Sequence, residues 1–389
     1  MATERLYYHD SYLTEFVGQV LEASPDGLRV YLDRTAFYPA SGGQPFDAGK
    51  LGGQEVVEVL DEEDGRIAHI LAAAAPAGPL TGQIDWPRRY EHMQQHSGQH
   101  LLSAVLMDLY SFQTLSFHMG DEVSTIELGA KEISEEQILA AERQANTLAR
   151  DALPVHVTFG EAAEVTGLRK QSQRSGKLRI VEIEGIDKSA CGGTHVRSLA
   201  ETLPVQIRKI EKVRGNVRLE FVCGDRAIRR AKRDFQLLQE LSRQTAAAID
   251  TLPDHAAALK DRLSEAEKDR QRLADDLAQR EGREAYAASA PSQDGMRRTQ
   301  WSVERVTETV RAKAIAYAAG SQSVVLVLGK QPPGVLIACS PDSRIDAGAL
   351  LKQTFAEFGG RGGGSSTLAQ GSIMNERVIQ ALAEKLGLG

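Results

Sequence analysis

The sequence predicts an α+β chain assembled from several parts, and three observations carry that prediction. Strand-favouring residues broken by a glycine cluster occupy positions 35–44. Two pairs of metal-type ligands lie about ninety residues apart in the middle of the chain. A leucine heptad precedes a last block of apolar strands. These features divide the chain into a β-rich part around the glycines (1–87), a ligand-bearing α/β core (88–224), a helical arm (225–290) and a C-terminal α/β part (296–389). At 389 residues the chain is long enough to bury a core in two or three domains.

In the first part, Thr35, Phe37 and Tyr38 favour a strand. Pro39 and Ser41-Gly42-Gly43 break it, and Gln44-Pro45 forces an extended step. The glycines let backbone approach a ligand closely, while Thr35 and Gln44 offer a hydroxyl and an amide. Taken alone, the same segment also reads as a tight hairpin with a polar tip.

The core opens on a helix running from about Arg88, with Leu102, Val105, Leu106 and Leu109 as its apolar stripe. Its first turns carry His96-Ser-Gly-Gln-His100, two imidazoles on one face. Cys191-Gly-Gly-Thr-His195 supplies a thiol and a third imidazole on a double glycine that lets both curl to one point. Three imidazoles and one thiolate suit a single zinc ion, which takes such ligands at roughly 2.0–2.3 Å. The rival arrangement is two unrelated polar turns. A zinc metalloprotease needs Glu directly after the first His, and Ser97 stands there. His92 is a fifth candidate, expected at the surface or behind a ligand.

Charge adds a nucleic-acid reading. The net charge of −7 does not advertise it. Residues 201–233, however, hold ten Lys or Arg, among them Arg208 and Lys209, against four Asp or Glu. A second basic stretch contains Arg169, Lys170, Arg174, Lys177 and Arg179. Either suits phosphates, although charged stretches are commonly just solvated faces.

In the arm, an earlier helix covers about Asp225 to Ile249. Leu259, Leu263, Ala266, Leu273 and Leu277 follow at alternating spacings of four and three, with Arg270 in the remaining seam position. That pattern predicts a helical hairpin or coiled-coil arm. Residues 286–295 read as a linker. The last part has two buried strands at 324–328 and 334–338, a helix at about 347–358, and a glycine loop around Arg361 of the kind whose N–H groups can cradle phosphate. No run of eighteen apolar residues and no apolar leader is present, which argues against a membrane or secreted protein. Three widely spaced cysteines argue against a disulfide framework, so a cytoplasmic location is expected.

Together, Thr35-x-Phe-Tyr-Pro-x-x-Gly-Gly-Gln44, His96-x-x-x-His100 and Cys191-Gly-Gly-Thr-His195 resemble the motifs of free-standing alanyl-tRNA editing proteins, the AlaX type, and of the editing half of alanyl-tRNA synthetase. Order and spacing match over roughly residues 1–225. Ser41 departs from the pattern, which usually has a third glycine there. The Met-Gln-Gln-His-Ser-Gly-Gln-His wording is closer to the free-standing proteins. The last part resembles the C-terminal domain of alanyl-tRNA synthetases, shared with DHH-type phosphoesterases, but their Asp-His-His sequence is absent.

The resemblance implies a β-barrel-like glycine-motif domain, a zinc editing core with one zinc per chain, and a C-terminal tRNA-binding or dimerisation module, hence the long form. It implies an aminoacyl-tRNA deacylase, a carboxylic ester hydrolase acting in trans on mischarged tRNA(Ala), chiefly the seryl form and also the glycyl form. Aminoacylation is not expected, because the first motif starts by residue 35. A homodimer through the C-terminal region is a further implication. Serine differs from alanine by one hydroxyl, and a site that hydrogen-bonds it can discriminate strongly; Thr35 is the first expected partner and Gln44 the second. Four protein ligands would close a tetrahedral ion, which leaves open whether the zinc activates water or shapes the pocket. Two other functions remain: a tRNA-binding factor that uses zinc only to hold its fold, and a zinc hydrolase of small acyl esters.

Overall fold

The computed structural model describes residues 2–171 and 175–388, so Arg174 of the second basic stretch lies outside the described residues. The chain divides into two compact units, Met1–Glu240 and Leu241–Gly389. It is a mixed α+β protein, and no helix among the described residues is long and apolar enough to cross a membrane.

In the first unit, beside a short parallel pair of Glu4–Arg5 with Arg34–Thr35, seven strands form one sheet: Glu15–Gly18, Val20–Ala23, Arg29–Leu32, Gly49–Leu51, Gln54–Asp61, Ile67–Leu71 and Leu80–Ile84. They pair antiparallel in the order first, seventh, fourth, fifth, sixth, third, second. The two edge strands are consecutive in the chain, so the sheet nearly closes on itself at Gln19. Gln19 N–H donates to the Asp33 carboxylate at 2.7 Å, and its carbonyl accepts Asp33 N–H at 3.0 Å. Alternation fills the inside, as in Leu80, Gly82 and Ile84, all buried between exposed neighbours. Phe16, Val30, Leu32, Phe37, Leu51 and Val59 complete that core.

Helix α1 (Trp86–Tyr110) follows directly, capped by Asp85, whose side chain accepts Arg88 N–H. Leu102, Val105 and Leu106 of the expected stripe are buried, whereas Leu109 is 41% exposed. His96 and His100 sit in the third and fourth turns of the helix rather than the first, since ten helical residues from Trp86 precede His96. The buried stripe packs on an antiparallel four-stranded sheet ordered Thr114–Met119, Ser124–Leu128, Asn216–Cys223, Val205–Val213, with α2 (Glu135–Arg150) completing the core. Gln95 fixes the helix to that sheet by bonding Cys223 at both its N–H and its carbonyl. A separate hairpin sheet, Val155–Glu161, Lys177–Ile183 and Asp187–Ala190, runs into the 191–195 turn.

Arg89 ties α1 to the glycine segment. Its side chain is wholly buried, pairs with the equally buried Asp47, and donates to the carbonyls of Ser11 (2.9 Å) and Ala36 (2.6 Å). Asp47 in turn accepts Tyr38 N–H at 2.6 Å. Removing one partner of such a pair costs roughly 3–5 kcal/mol, because a buried charge is left alone.

Helix α3 (Gly224–Thr245) follows the sheet, and α4 (Leu252–Ala288) belongs to the second unit. There the strands Arg297–Val303, Ser323–Lys330, Pro333–Cys339, Leu368–Ser372 and Arg361–Gly364 form one sheet in that order. The end of α4 and α5 (Glu308–Ala318) cover one face; α6 (Ala347–Phe358) and α7 (Arg377–Leu386) cover the other. Two expectations change here. The 286–295 linker is partly helix, since α4 reaches Ala288. The glycine loop is an edge strand: Arg361–Gly364 pairs antiparallel with Leu368–Ser372, which occupies backbone groups a phosphate cradle would need.

Candidate metal centre

The two ligand pairs meet. One ligand atom from each of His96, His100, Cys191 and His195 lies within 4.8 Å of all the others, and the group could hold a metal ion. Cys191 Sγ is 3.4 Å from His96 Nε2 and 3.3 Å from His195 Nε2. Those separations are what ligands at about 2.0–2.3 Å from one tetrahedral ion require.

Each imidazole is held by its other nitrogen. His96 Nδ1–H donates to Gln44 Oε1 at 2.8 Å, His100 Nδ1–H to Asp187 Oδ2 at 2.8 Å, and His195 Nδ1–H to Ser97 Oγ at 3.1 Å. All three rings therefore turn Nε2 toward the centre. Such partners fix tautomer and orientation in metal sites. The braces are themselves anchored. Gln44 Nε2 donates to Thr194 Oγ1 at 2.8 Å, Ser97 Oγ accepts Val196 N–H at 3.1 Å, and Arg169 Nε donates to Asp187 Oδ1 at 2.6 Å. Gly193 is obligatory, since a Cβ there would stand 2.2 Å from His96 Cε1 and 3.0 Å from Gln44 Oε1.

Electrostatics around Cys191 favour a thiolate. Burial opposes charge on Cys191, but the His96 and His195 rings, with hydrogen bonds from His100 and His195, hold it well below the usual thiol range. Burial likewise opposes charge on His100, yet its bonds to Asp187 and Cys191 raise it to about 9. Burial and the neighbouring His96 push His195 down to about 3. Asp187, despite burial, is held at about 2 by His100 and Arg169.

His96, His100 and Cys191 of the quartet border a cavity of about 670 Å³. Tyr8, Phe117 and Phe159 give it aromatic walls, Arg5, Arg169, Lys170 and Lys177 line it with cations, and Gln99, Thr114 and Ser116 add neutral polar groups. Arg179, expected on a phosphate track, is buried at 7% exposure. It clamps the metal turn by donating to the carbonyls of Cys191 and Gly193, each at 2.8 Å.

Thr35 stands apart from this cavity's lining. Its hydroxyl accepts Phe37 N–H at 3.1 Å and donates to His69 Nε2 at 2.8 Å, while His69 Nδ1–H donates to the Val30 carbonyl. Gln44 is buried at 2% exposure, with both ends of its amide committed. Arg208 and Lys209 lie on the Val205–Val213 strand, paired with Asp234 and Glu211, and Arg361 lies on the exposed edge strand of the second unit. His92 is buried, and its Nδ1 has no hydrogen-bond partner. Sequence reasoning missed the braces Ser97 and Asp187 and the clamp Arg179, none of which carries a local signature.

Residues 178–220, which include the metal turn, match the family described as the threonyl and alanyl tRNA synthetase second additional domain. The alanyl-tRNA editing protein AlaX-L of Pyrococcus horikoshii is 31% identical over 98% of this chain and 98% of its own length. Alanyl-tRNA editing protein Aarsd1-B of Xenopus laevis is 33% identical over 64% of this chain and 68% of its own. The alanine–tRNA ligase of Korarchaeum cryptofilum is 29% identical over 97% of this chain but only 44% of its own length. With end-to-end similarity to AlaX-L, and with the motifs of that group gathered at one centre, the chain belongs to the family of free-standing alanyl-tRNA editing proteins.

Proposed function

We propose that this chain, an aminoacyl-tRNA deacylase by family, hydrolyses the ester of mischarged tRNA(Ala) in trans, chiefly seryl-tRNA(Ala) and also glycyl-tRNA(Ala), without aminoacylating. The observation that supports this reading best is the braced His96–His100–Cys191–His195 quartet, three of whose members, His96, His100 and Cys191, border a cavity walled by aromatic and cationic side chains. The three nitrogens and one thiolate suit zinc, one per chain. A zinc held there would fasten α1 to the 191–195 turn and place positive charge beside the ester.

The chain's own residues do the rest. Lys170, Lys177 and Arg169 suit the phosphates of a tRNA 3′ end, and Tyr8 and Phe159 offer faces on which its unpaired bases stack. Gln99, Thr114 and Ser116 are polar groups available to a serine hydroxyl, which a water-excluding wall would reward and an alanine methyl would leave unmatched. Thr35 and Gln44, the groups first expected to read that hydroxyl, support the site from behind through His69 and His96.

Four protein donors fill a tetrahedral ion, which equally suits a purely structural metal. Incubating the purified chain with seryl-, glycyl- and alanyl-tRNA(Ala) separates the readings. Release of serine and glycine with alanine retained is expected. No release from any of the three would leave a zinc-held tRNA-binding factor. Equal hydrolysis of a seryl ester lacking its tRNA would make the chain a small-ester hydrolase.

A further inference from the structure

The cavity bordered by His96, His100 and Cys191 has two donors with nothing to give to. Five buried side-chain N or O atoms among the described residues lack a hydrogen-bond partner, and two of them, Tyr7 Oη and Arg179 Nη2, belong to side chains that line this cavity. Native structures keep such atoms rare because each one is destabilising. Two on one wall therefore point to a ligand. Both side chains are also fixed. Arg179 Nε donates to the Tyr8 carbonyl at 3.1 Å and Nη1 to the carbonyls of Cys191 and Gly193, so only Nη2 is unspent. The Arg179 guanidinium lies 5.3 Å from the Tyr8 ring centroid, and the Tyr7 ring meets the rings of Tyr8 and Tyr38 edge-on at 5.1 and 5.3 Å.

Chemistry and depth say which ligand atoms these donors await. An arginine only donates. Burial pushes the Tyr7 phenol well above its ordinary range, so it keeps its proton and donates too. The partners are thus acceptor oxygens. Tyr7 is 1% and Arg179 7% exposed, whereas Lys170 and Lys177 on the same cavity are open to solvent. Phosphates, which stay hydrated, suit the open pair. The desolvated pair, with Arg179 gripping the metal turn, suits the group that reacts. We infer that Arg179 Nη2 and Tyr7 Oη donate to the oxygens of the aminoacyl ester on which negative charge develops. This assignment rests on the chain being a deacylase. Water adds through its oxygen to the ester carbon, and the carbonyl π pair moves onto oxygen as an oxyanion. Collapse restores the carbonyl and breaks the bond to the ribose oxygen, which leaves with that electron pair and takes one proton of the added water; the acid formed gives the other to solvent. Fixed, desolvated donors at those oxygens stabilise the charged transition state more than the neutral ester.

Tyr7→Phe separates this role from a structural one. It should keep its zinc and a urea midpoint no lower than the parent's, because the fold makes no bond with Oη. On seryl-tRNA(Ala) its kcat should fall about a hundredfold with KM little changed. Arg179→Lys keeps a cation that can reach the two turn carbonyls but lacks the second nitrogen, so its rate per bound zinc should fall about as far. Parental kcat in Tyr7→Phe, a loss carried by KM alone, or a parental rate per bound zinc in Arg179→Lys would each overturn the assignment. The parent chain is the control. If it releases no serine, the deacylase reading falls and the assignment with it, whereas an active parent matched by Tyr7→Phe sinks the assignment alone.

Discussion

Replacing Gln44 by leucine separates a brace from a substrate contact. The leucine keeps similar volume but removes the acceptor of His96 Nδ1–H, the acceptor of Thr194 N–H (3.2 Å) and the donor to Thr194 Oγ1. At 2% exposure no bulk water replaces them. Losing a partner of a metal-bound histidine typically costs about 10–100-fold in metal affinity, which corresponds to about 1.4–2.7 kcal/mol. The orphaned Thr194 groups add roughly 1–3 kcal/mol of destabilisation. Competition of the protein with a chromophoric chelator for zinc measures the first quantity and urea unfolding the second. Gln44→Glu is the control. It keeps an acceptor for His96 and Thr194 N–H, and the Thr194 hydroxyl can rotate to donate to it, so zinc affinity should stay within about threefold. If Gln44→Leu binds zinc like the parent and changes only the ratio of serine to alanine release, the brace argument is wrong and Gln44 reads the substrate.

Two further outcomes follow from the same geometry. Gly193→Ala should lose the metal and the activity together, because its Cβ would overlap His96 and neither that ring nor the Arg179-clamped turn can retreat; normal zinc content in this variant would contradict the placement of the turn. Acid should also weaken the fold through His69 and His92, which burial depresses to about 4. Both pKa values lie below the unfolded histidine value, so the unfolded chain takes up the protons first. Stability is complete above about pH 6.5 and falls as pH drops toward 4, by up to about 3 kcal/mol per residue. Urea midpoints across that window should fall less steeply in His92→Leu, and an unchanged slope would exclude His92 as a contributor.

The candidate metal quartet was legible as two pairs because each pair is local. His96 and His100 share a helix face, and Cys191 and His195 share a glycine turn, so spacing alone brings each pair together. The heptad was legible for the same reason, and α4 carries it. What escaped depends on contacts between distant segments. Nothing near Thr35 shows that a buried histidine thirty-four residues later takes its hydroxyl. The glycine run near Arg361 carries no side chains whose alternation would reveal a strand, so its pairing with Leu368–Ser372 could not be anticipated.

The braces show why the centre needs all of its parts at once. The glycine segment supplies Gln44, which grips a ligand on α1 and, through Thr194, the metal turn. Helix α1 supplies Ser97, which grips the ligand and the backbone on the far side of that turn. The hairpin sheet supplies Asp187, which grips the second ligand on α1 and is fixed by Arg169 on the cavity wall. Every histidine is thus oriented by a segment other than its own, and no segment can place its donors alone. Arg169 makes one of these braces reachable from the cavity. A phosphate drawn to its guanidinium would compete with Asp187 for the same charge, and through Asp187 the effect would reach the His100 ring of the candidate metal quartet.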